Sequence, residues 1–171
     1  MNITIDFLSP RDVIAIRQLA ERIWPIAYRD LLSEDQIRYM IDQRYDPEVL
    51  LEQMAAGDLF LGARRERWCG YAHVYALGHG LFKLDKLYVD VDHQGQGMGR
   101  QLLERVFSEV ILAGGIELTL RVNRLNLHAI KVYERNGFEI TGTDKVAIGG
   151  GFFMDDYVMT CSLDEKKGSD A

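Results

Sequence analysis

Apolar and polar positions recur along this chain with two different periods. Ile3, Ile5 and Phe7 alternate with polar residues, which predicts a first β-strand. The next apolar residues recur every three or four positions and predict a helix with one buried face; they are Val13, Ile16, Leu19, Ala20 and Ile23. Ser9 and Pro10 precede them and are typical of an N-cap and a first helical position.

The same reasoning places the remaining elements. A loop is expected around Trp24–Tyr28, followed by a helix from Ser33 to about Tyr45 and a third helix from Asp46 that ends before Gly57. Two more helices follow Gly99 and Asn126. Strands are predicted at Leu59–Arg65, Trp68–Leu77, Leu81–Val91, Ile116–Val122, Phe138–Lys145 and Phe152–Cys161. This order predicts an α/β protein, with a mixed sheet covered by helices on both faces.

A glycine-rich turn in the middle of the chain is the most informative feature. The apolar segment Leu87–Val89 leads into Gln94–Arg100, which contains Gly95, Gly97 and Gly99. A helical pattern follows at once; its apolar residues are Leu102, Leu103, Val106, Phe107 and Val110. Glycines admit a ligand close to the backbone, and a helix N-terminus attracts phosphate. We therefore expect an anionic cofactor here.

The spacing of the glycines selects among three motifs. The phosphate loop of nucleotide hydrolases requires Lys-Ser or Lys-Thr after its last glycine, and neither pair follows Gly99. In the dinucleotide motif the third glycine lies one residue later than Gly99. Gln94, Gly97 and Gly99 fit the third pattern, Q/R-x-x-G-x-G/A. This pattern resembles the acyl-CoA signature of the GNAT superfamily of N-acyltransferases.

A second motif strengthens the resemblance. Asn126, Ala129, Tyr133, Gly137 and Phe138 match the family's N-x-x-A-x-x-x-Y-x-x-x-G-F helix. The likeness extends from Ile3 to about Leu163 and is most specific between Asp85 and Phe138. It implies a GNAT-like fold in which the strands at Leu81–Val91 and Ile116–Val122 splay apart to admit the pantetheine arm of acetyl-CoA.

The resemblance also implies which residues bind acetyl-CoA. They are Leu87, Tyr88, Val89, Gln94, Gly95, Gln96, Gly97, Met98, Gly99, Arg100, Asn126, Ala129, Lys131, Tyr133 and Arg135. The Val89 N–H is expected nearest the thioester oxygen, and Asn126 is expected to bond the pantetheine amide. Lys131 and Arg135 are candidates for the nucleotide phosphates, although such side chains are more often solvated surface residues.

Two residues are candidate catalysts. Tyr133 matches the family's tyrosine, and a phenol with a pKa near ~10 is protonated at pH 7 and able to donate to a departing thiolate. The alternative is a half-buried structural tyrosine. Asp85 lies four residues before Val89, where relatives often carry a glutamate that acts as the base. For Asp85 a bridging water is expected, and the alternative is a strand carboxylate paired with Lys83 or Lys86.

The acceptor is expected to be a small cationic amine. Trp24, Tyr28 and Tyr39 would supply aromatic surface, and Asp155 and Asp156 would supply negative charge. The segments around these residues resemble bacterial polyamine acetyltransferases of the Pai type. A protein N-terminal acetyltransferase remains a second hypothesis, and a non-catalytic acyl-CoA sensor a third. The presence of Tyr133 and Asp85 argues against the sensor.

Composition narrows these functions further. The net charge of −6 argues against nucleic-acid binding, and no apolar segment reaches membrane-spanning length, so a membrane partner is not expected. Residues 94–136 carry six basic and four acidic residues, a balance of +2, which leaves −8 for the remainder. This division of charge suits an anionic cofactor at residues 94–136 and a cationic acceptor elsewhere. The alternative interpretation is ordinary surface charge.

The remaining expectations concern cysteines, histidines and organisation. Two cysteines and four scattered histidines predict no disulfide framework and no metal site, and a cytoplasmic location. Residues 1–163 are expected to form one domain and residues 164–171 a disordered tail. The oligomeric state is open, with a homodimer as one candidate.

Overall fold

The computed structural model describes residues 2–168 of the 171-residue chain. The strands are β1 (Thr4–Phe7), β2 (Leu59–Arg64), β3 (Trp68–Gly78), β4 (Leu81–Val89), β5 (Glu117–Asn123), β6 (Glu139–Gly149) and β7 (Phe152–Ser162). The helices are α1 (Val13–Ala27), α2 (Glu34–Arg44), α3 (Pro47–Ala55), α4 (Met98–Leu112) and α5 (Leu127–Arg135). The strands are hydrogen-bonded in the order β1-β2-β3-β4-β5-β7-β6 as a mixed sheet, which confirms the predicted fold class.

The chain divides into two compact units. The first contains residues 2–75 and Asp85–Val106, and the second contains Ala76–Leu84 and residues 107–168. The prediction of a single domain over residues 1–163 stays a prediction. Of the expected disordered tail, Glu165–Gly168 form a 3-10 turn, while residues 169–171 lie outside the described part of the chain.

In the first unit, β1, β2 and β3 pair antiparallel in that order, and α1, α2 and α3 lie between β1 and β2 in the chain. Side chains cap α2 and α3. Ser33 accepts a hydrogen bond from the Gln36 amide at the start of α2, and Asp46 accepts one from the Glu48 amide at the start of α3. All five apolar residues predicted on α1 are buried. Because Ser9 and Asp12 bond each other across a 3-10 turn, α1 begins three residues later than the predicted cap implies.

The predicted loop at Trp24–Tyr28 is wrong, because α1 continues through Ala27. Pro25 lies inside the helix and removes one backbone donor. The last turn is nevertheless closed by the Tyr28 amide, which donates to the Trp24 carbonyl at 3.0 Å. Trp24 itself is 1% exposed, and its indole N–H donates to the Tyr45 hydroxyl at 3.1 Å. Burial of this one side chain holds the turn in helical form.

The second unit contains the end of the sheet that carries β5, β7 and β6. Parallel pairing of β4 with β5 covers Leu81–Leu84 and Glu117–Leu120, so each strand continues past its paired part. β6 and β7 form a long hairpin, closed by Gly149–Gly151 with positive φ at all three glycines. β6 is therefore longer than predicted. Within residues 2–168, no helix is both long and apolar enough to cross a bilayer.

Candidate functional site

The glycine turn lies between the end of β4 and the start of α4 in the first unit. β4 ends at Val89, two residues earlier than predicted, because Val91–His93 form a 3-10 turn. The Asp90 amide donates to the Cys69 carbonyl of β3 at 2.7 Å. Gly95 and Gly97 have φ of +72° and +81°, and an added Cβ would meet nothing within 4 Å at either position. These glycines are needed for their backbone conformation, and the space beside them is open.

Side chains of the turn hold its backbone in place. The Gln94 side-chain amide donates to the Val89 carbonyl at 3.0 Å, and the Gln96 amide donates to the Asp92 carbonyl at 3.3 Å. Arg22 and the buried Asp90 form an ion pair of 2.5 Å just before the turn. Positive φ at two glycines, followed by the N-terminus of a 15-residue helix, suits a diphosphate group.

The other residues predicted at the turn differ in exposure. Met98 is buried and Gly99 lies against Val89, whereas Arg100 is exposed and its Nε donates to Glu104 at 2.7 Å. Leu87, Tyr88 and Val89 are half-buried. The Tyr88 hydroxyl is 2.8 Å from the Tyr28 hydroxyl, and burial raises the pKa of Tyr88, which keeps the phenol protonated at neutral pH.

Asp85 is the centre of a cluster of ionisable residues in the first unit, the Asp85 cluster, whose other members are Arg44, Asp58, His73 and Lys86. Its Oδ2 accepts hydrogen bonds from Lys86 Nζ at 2.7 Å and from Arg44 Nη2 at 3.2 Å. His73 Nδ1 is 3.2 Å from the same oxygen, and His73 Nε2 is 2.7 Å from Asp58 Oδ2. His73 is fully buried and stacks on Phe60 with ring centroids 4.2 Å apart. Its ring thus fixes the two carboxylates on opposite sides.

The cluster changes the protonation chemistry of its members. Burial would raise the pKa of Asp85, but the hydrogen bond with His73 and the charges of Arg44 and Lys86 outweigh it and hold that pKa well below its usual range. Burial lowers the pKa of Lys86 to about 8, with Asp85 opposing and Arg44 adding to the shift. The predicted pairing of Asp85 with Lys86 is therefore present. A carboxylate with so low a pKa is a weak proton acceptor.

This burial predicts a pH-dependent stability. Unfolding returns Lys86 from a pKa of about 8 to 10.5, so between these values the unfolded chain binds more protons. The free energy of unfolding is therefore highest above pH 10.5, where Lys86 is neutral in both states. It falls as the pH is lowered from 10.5 through 8, because the buried side chain then has to carry a charge. Urea unfolding between pH 7.5 and 10 should show wild-type stability rising relative to Lys86→Met by at most about 1.4 kcal/mol per pH unit. Parallel curves for the two proteins would contradict a lowered pKa.

Aromatic side chains form a layer beside the Asp85 cluster. Trp24, Tyr28, Tyr45, Tyr71 and Tyr88 contact one another with centroids 4.8–6.4 Å apart. Arg44 lies over the Trp24 ring. The expectation that Trp24 offers aromatic surface to an acceptor is wrong, because this side chain is buried in the layer. Tyr28 and Tyr39 are half-buried.

The second motif lies on α5, in the second unit. Asn126 caps the predicted helix, since its Oδ1 accepts from the Ala129 amide at 3.2 Å. The half-buried Tyr133 packs edge-on against the buried Phe138 with centroids 5.6 Å apart. Lys131 and Arg135 are exposed on the same helix. The roles of these residues in binding and catalysis stay predictions.

The two carboxylates predicted for the acceptor lie on β7 in the second unit. Asp155 is exposed and pairs with Arg124 at 3.4 Å, whereas Asp156 is 7% exposed and lies opposite Asn123 and Asp144 in the sheet. Asp155 is the more accessible of the two. Across the described residues, no group of three or more His, Cys, Asp or Glu side chains is arranged to hold a metal ion.

Sequence reasoning missed three members of the Asp85 cluster. Arg44 comes from the end of α2, Asp58 from the turn before β2, and His73 from the middle of β3. The one available signal was His73, a histidine within the otherwise apolar run of β3. A lone histidine in a strand does not indicate its partners, because they are 12 to 15 residues away in sequence.

Comparison with known proteins gives relatives over almost the full length of the chain. It is 27% identical over 161 residues to a spermidine N(1)-acetyltransferase of Thermoplasma acidophilum, covering 91% of this chain and 97% of the relative. A peptidyl-lysine N-acetyltransferase of Salmonella typhimurium is 40% identical over 63 residues, which are 37% of this chain.

Solved structures agree with the sequence relatives. The PaiA N-acetyltransferase of Thermoplasma acidophilum, solved with coenzyme A, superposes with a TM-score of 0.83 at 26% identity, covering 95% of this chain and 99% of that one. The ribosomal-protein-S18-alanine N-acetyltransferase of Escherichia coli superposes with a TM-score of 0.73 at 21% identity, which shows a common fold alone. A family model described as an acetyltransferase (GNAT) domain matches residues 28–155, most of the chain, and this protein therefore belongs to the GNAT family of acetyltransferases.

Proposed function

We propose that this protein transfers an acetyl group from acetyl-CoA to a primary amine of a small polycationic amine such as spermidine. The observation that carries the proposal is the match to a spermidine N(1)-acetyltransferase over nearly the whole of both chains. The acidic balance outside residues 94–136 supports a cationic acceptor. The reaction needs a polarised carbonyl, a neutral amine and a stabilised thiolate, and the chain offers a candidate group for the carbonyl and one for the thiolate.

The glycine turn is the proposed site for the diphosphate of acetyl-CoA. Gly95 and Gly97 leave open space beside backbone with positive φ, and α4 begins directly after them. The end of β4, from Leu87 to Val89, would offer the Val89 N–H to the thioester oxygen. A fixed backbone donor of this kind stabilises negative charge that develops on a carbonyl. Asn126 is proposed to bind the pantetheine arm, and Tyr133 is proposed to donate a proton to the departing sulfur.

Binding of acetyl-CoA in preference to a dinucleotide tests this assignment. Calorimetry should detect acetyl-CoA and no NAD, because the third glycine of the turn lies one residue too early for the dinucleotide motif. Gly97→Val should weaken acetyl-CoA binding, since a β-branched residue is strained at a φ of +81°. Gly57→Val is a matched control at a φ of +93° in the turn after α3. Binding of NAD without acetyl-CoA would overturn the assignment.

Asp85 is proposed to hold the acceptor amine. It was predicted as a base, directly or through water, and its ionised side chain in the first unit supports attraction of an ammonium group more than removal of its proton. An alkylammonium has a pKa near ~10.4, so the reactive neutral form is scarce at pH 7. The rate should therefore rise with pH as the bound amine loses its proton.

Carboxylates on β7 are proposed to contribute to the preference for a polyamine. Asp155→Asn or Asp156→Asn should raise KM for spermidine more than KM for a short peptide, because a polyamine carries additional ammonium groups. The exposed Asp155 should show the smaller change of the two, since it is already paired with Arg124. Steady-state kinetics with both acceptors decides this. Equal effects on the two acceptors, or turnover of the peptide alone, would favour the N-terminal acetyltransferase.

A further inference from the structure

One cavity in the first unit lies beside Asp85 and is lined by further polar residues. It has a volume of about 350 Å³ and lies between α2, α3 and the middle of β3 and β4. Asp85 and Asp58 both line it, together with Gln53, Val49 and Tyr75. This volume is within the range of small-molecule sites, and far exceeds the ~30 Å³ that one water occupies in the liquid.

Gln53, one of the residues that line this cavity, carries an unsatisfied acceptor. Gln53 Oε1 is buried from solvent and accepts no hydrogen bond from the described residues. A buried amide oxygen without a donor costs about 1–3 kcal/mol, so such atoms are rare in folded proteins. A ligand N–H in the cavity would supply the missing donor once the Gln53 side chain turns toward it.

The two carboxylates of the cavity have a fixed separation. The imidazole ring of His73 lies between them, 2.7 Å from Asp58 and 3.2 Å from Asp85. Full burial and stacking on Phe60 restrain the ring in this position. Asp58 and Asp85 are thus one imidazole ring apart, a separation that two nitrogens joined by a short alkyl spacer can match. Val49 supplies an apolar side chain for the methylene groups of such a spacer.

The positive charges of the cavity do not prevent a cation from binding. Arg44 and Lys86 both donate to Asp85, at 3.2 and 2.7 Å. Two carboxylates therefore balance two cationic side chains. A carboxylate accepts several hydrogen bonds at once, so Asp58 is able to accept from a ligand while it holds His73.

From these contacts we propose that the cavity binds the second nitrogen of a diamine or polyamine acceptor. Asp85 receives the nitrogen that is acetylated, and Asp58 with Gln53 Oε1 receives the next nitrogen along the chain. The enzyme thereby selects acceptors by the spacing of their amines. The inference rests on the proposed function and assigns a specificity role to two residues outside both sequence motifs.

The test compares spermidine with butylamine, which has one nitrogen and cannot reach Asp58. Asp58→Asn keeps an oxygen for His73 and removes the charge. It should lower the ratio of kcat/KM for spermidine to kcat/KM for butylamine by ~10–100-fold, the loss expected for one charge-assisted hydrogen bond. Gln53→Leu should lower the same ratio by ~3–10-fold, as expected for a neutral hydrogen bond. Glu52→Gln is the control, because it removes one charge from an exposed position of α3.

Calorimetry with spermidine, in the presence of CoA, separates failure of this inference from failure of the proposed function. One outcome is that spermidine binds, that Asp58→Asn weakens this binding, and that no amine is acetylated. In that case the cavity assignment stands and the proposed function fails. If wild type acetylates both amines and neither Asp58→Asn nor Gln53→Leu changes the ratio, the inference is overturned. Absence of spermidine binding overturns both. Thermal melts of each variant verify that the protein tested is folded.

Discussion

Removal of the Tyr133 hydroxyl is expected to lower kcat for acetyl transfer by ~10²–10⁴-fold, while KM for acetyl-CoA changes little. A proton donor that acts on the leaving thiolate contributes mainly in the transition state, so its loss appears in kcat. Tyr133→Phe keeps the aromatic ring that packs edge-on against Phe138, so the fold should be retained. Steady-state kinetics and a thermal melt of the variant measure both quantities.

Single-turnover kinetics is the control for this experiment. Product release limits kcat in many enzymes and would hide a change in the chemical step. Under single-turnover conditions the variant should still be slower by the same factor. A variant that retains the wild-type rate of the chemical step would show that Tyr133 is structural and that water protonates the thiolate.

Loss of the Asp85 charge is expected to destabilise the protein by about 3 kcal/mol or more, because removing one partner of a buried ion pair leaves the other charge uncompensated. In Asp85→Asn, Lys86 would remain buried with a side chain that is 1% exposed, next to the cation Arg44. Urea unfolding at pH 7 measures the change. The exposed pair of Arg17 and Asp42 has a similar distance of 2.7 Å, and Asp42→Asn should cost less than about 1 kcal/mol.

A double variant distinguishes loss of the ion pair from a general loss of packing. Lys86→Met in the Asp85→Asn background removes the uncompensated cation, so the double variant should be more stable than Asp85→Asn alone. If Asp85→Asn unfolds at the same urea concentration as wild type, the cluster does not stabilise the fold. If the double variant is less stable than both single variants, the pairing argument is wrong.

Local signals in the sequence were sufficient for much of the fold. Ser33, Asp46 and Asn126 cap their helices as their residue types predict, and the glycine turn precedes α4 where its spacing indicates. The five apolar residues predicted on α4 are all buried. Each of these predictions depends on residues within a few positions of one another. Such signals are readable because the interactions behind them are short-range.

Long-range contacts explain what the sequence did not reveal. Arg44 reaches Asp85 across 41 positions and Trp24 reaches Tyr45 across 21, and no periodicity reports on either pair. Trp24 followed by Pro25 is typical of a loop, yet burial of the indole overrides the local preference. Asp85 was identified from a family position alone. Its pKa depends on neighbours brought together only by folding, so its strength as a base could not be judged from sequence.

The Asp85 cluster also has a consequence for heat. The free-energy cost of removing charged groups from water falls as temperature rises, whereas hydrophobic stabilisation per unit area levels off. Ion pairs that include the buried Lys86 therefore gain relative weight in the warm protein. The cost of Asp85→Asn should grow with temperature, and the first unit should depend on this cluster most when it is closest to melting.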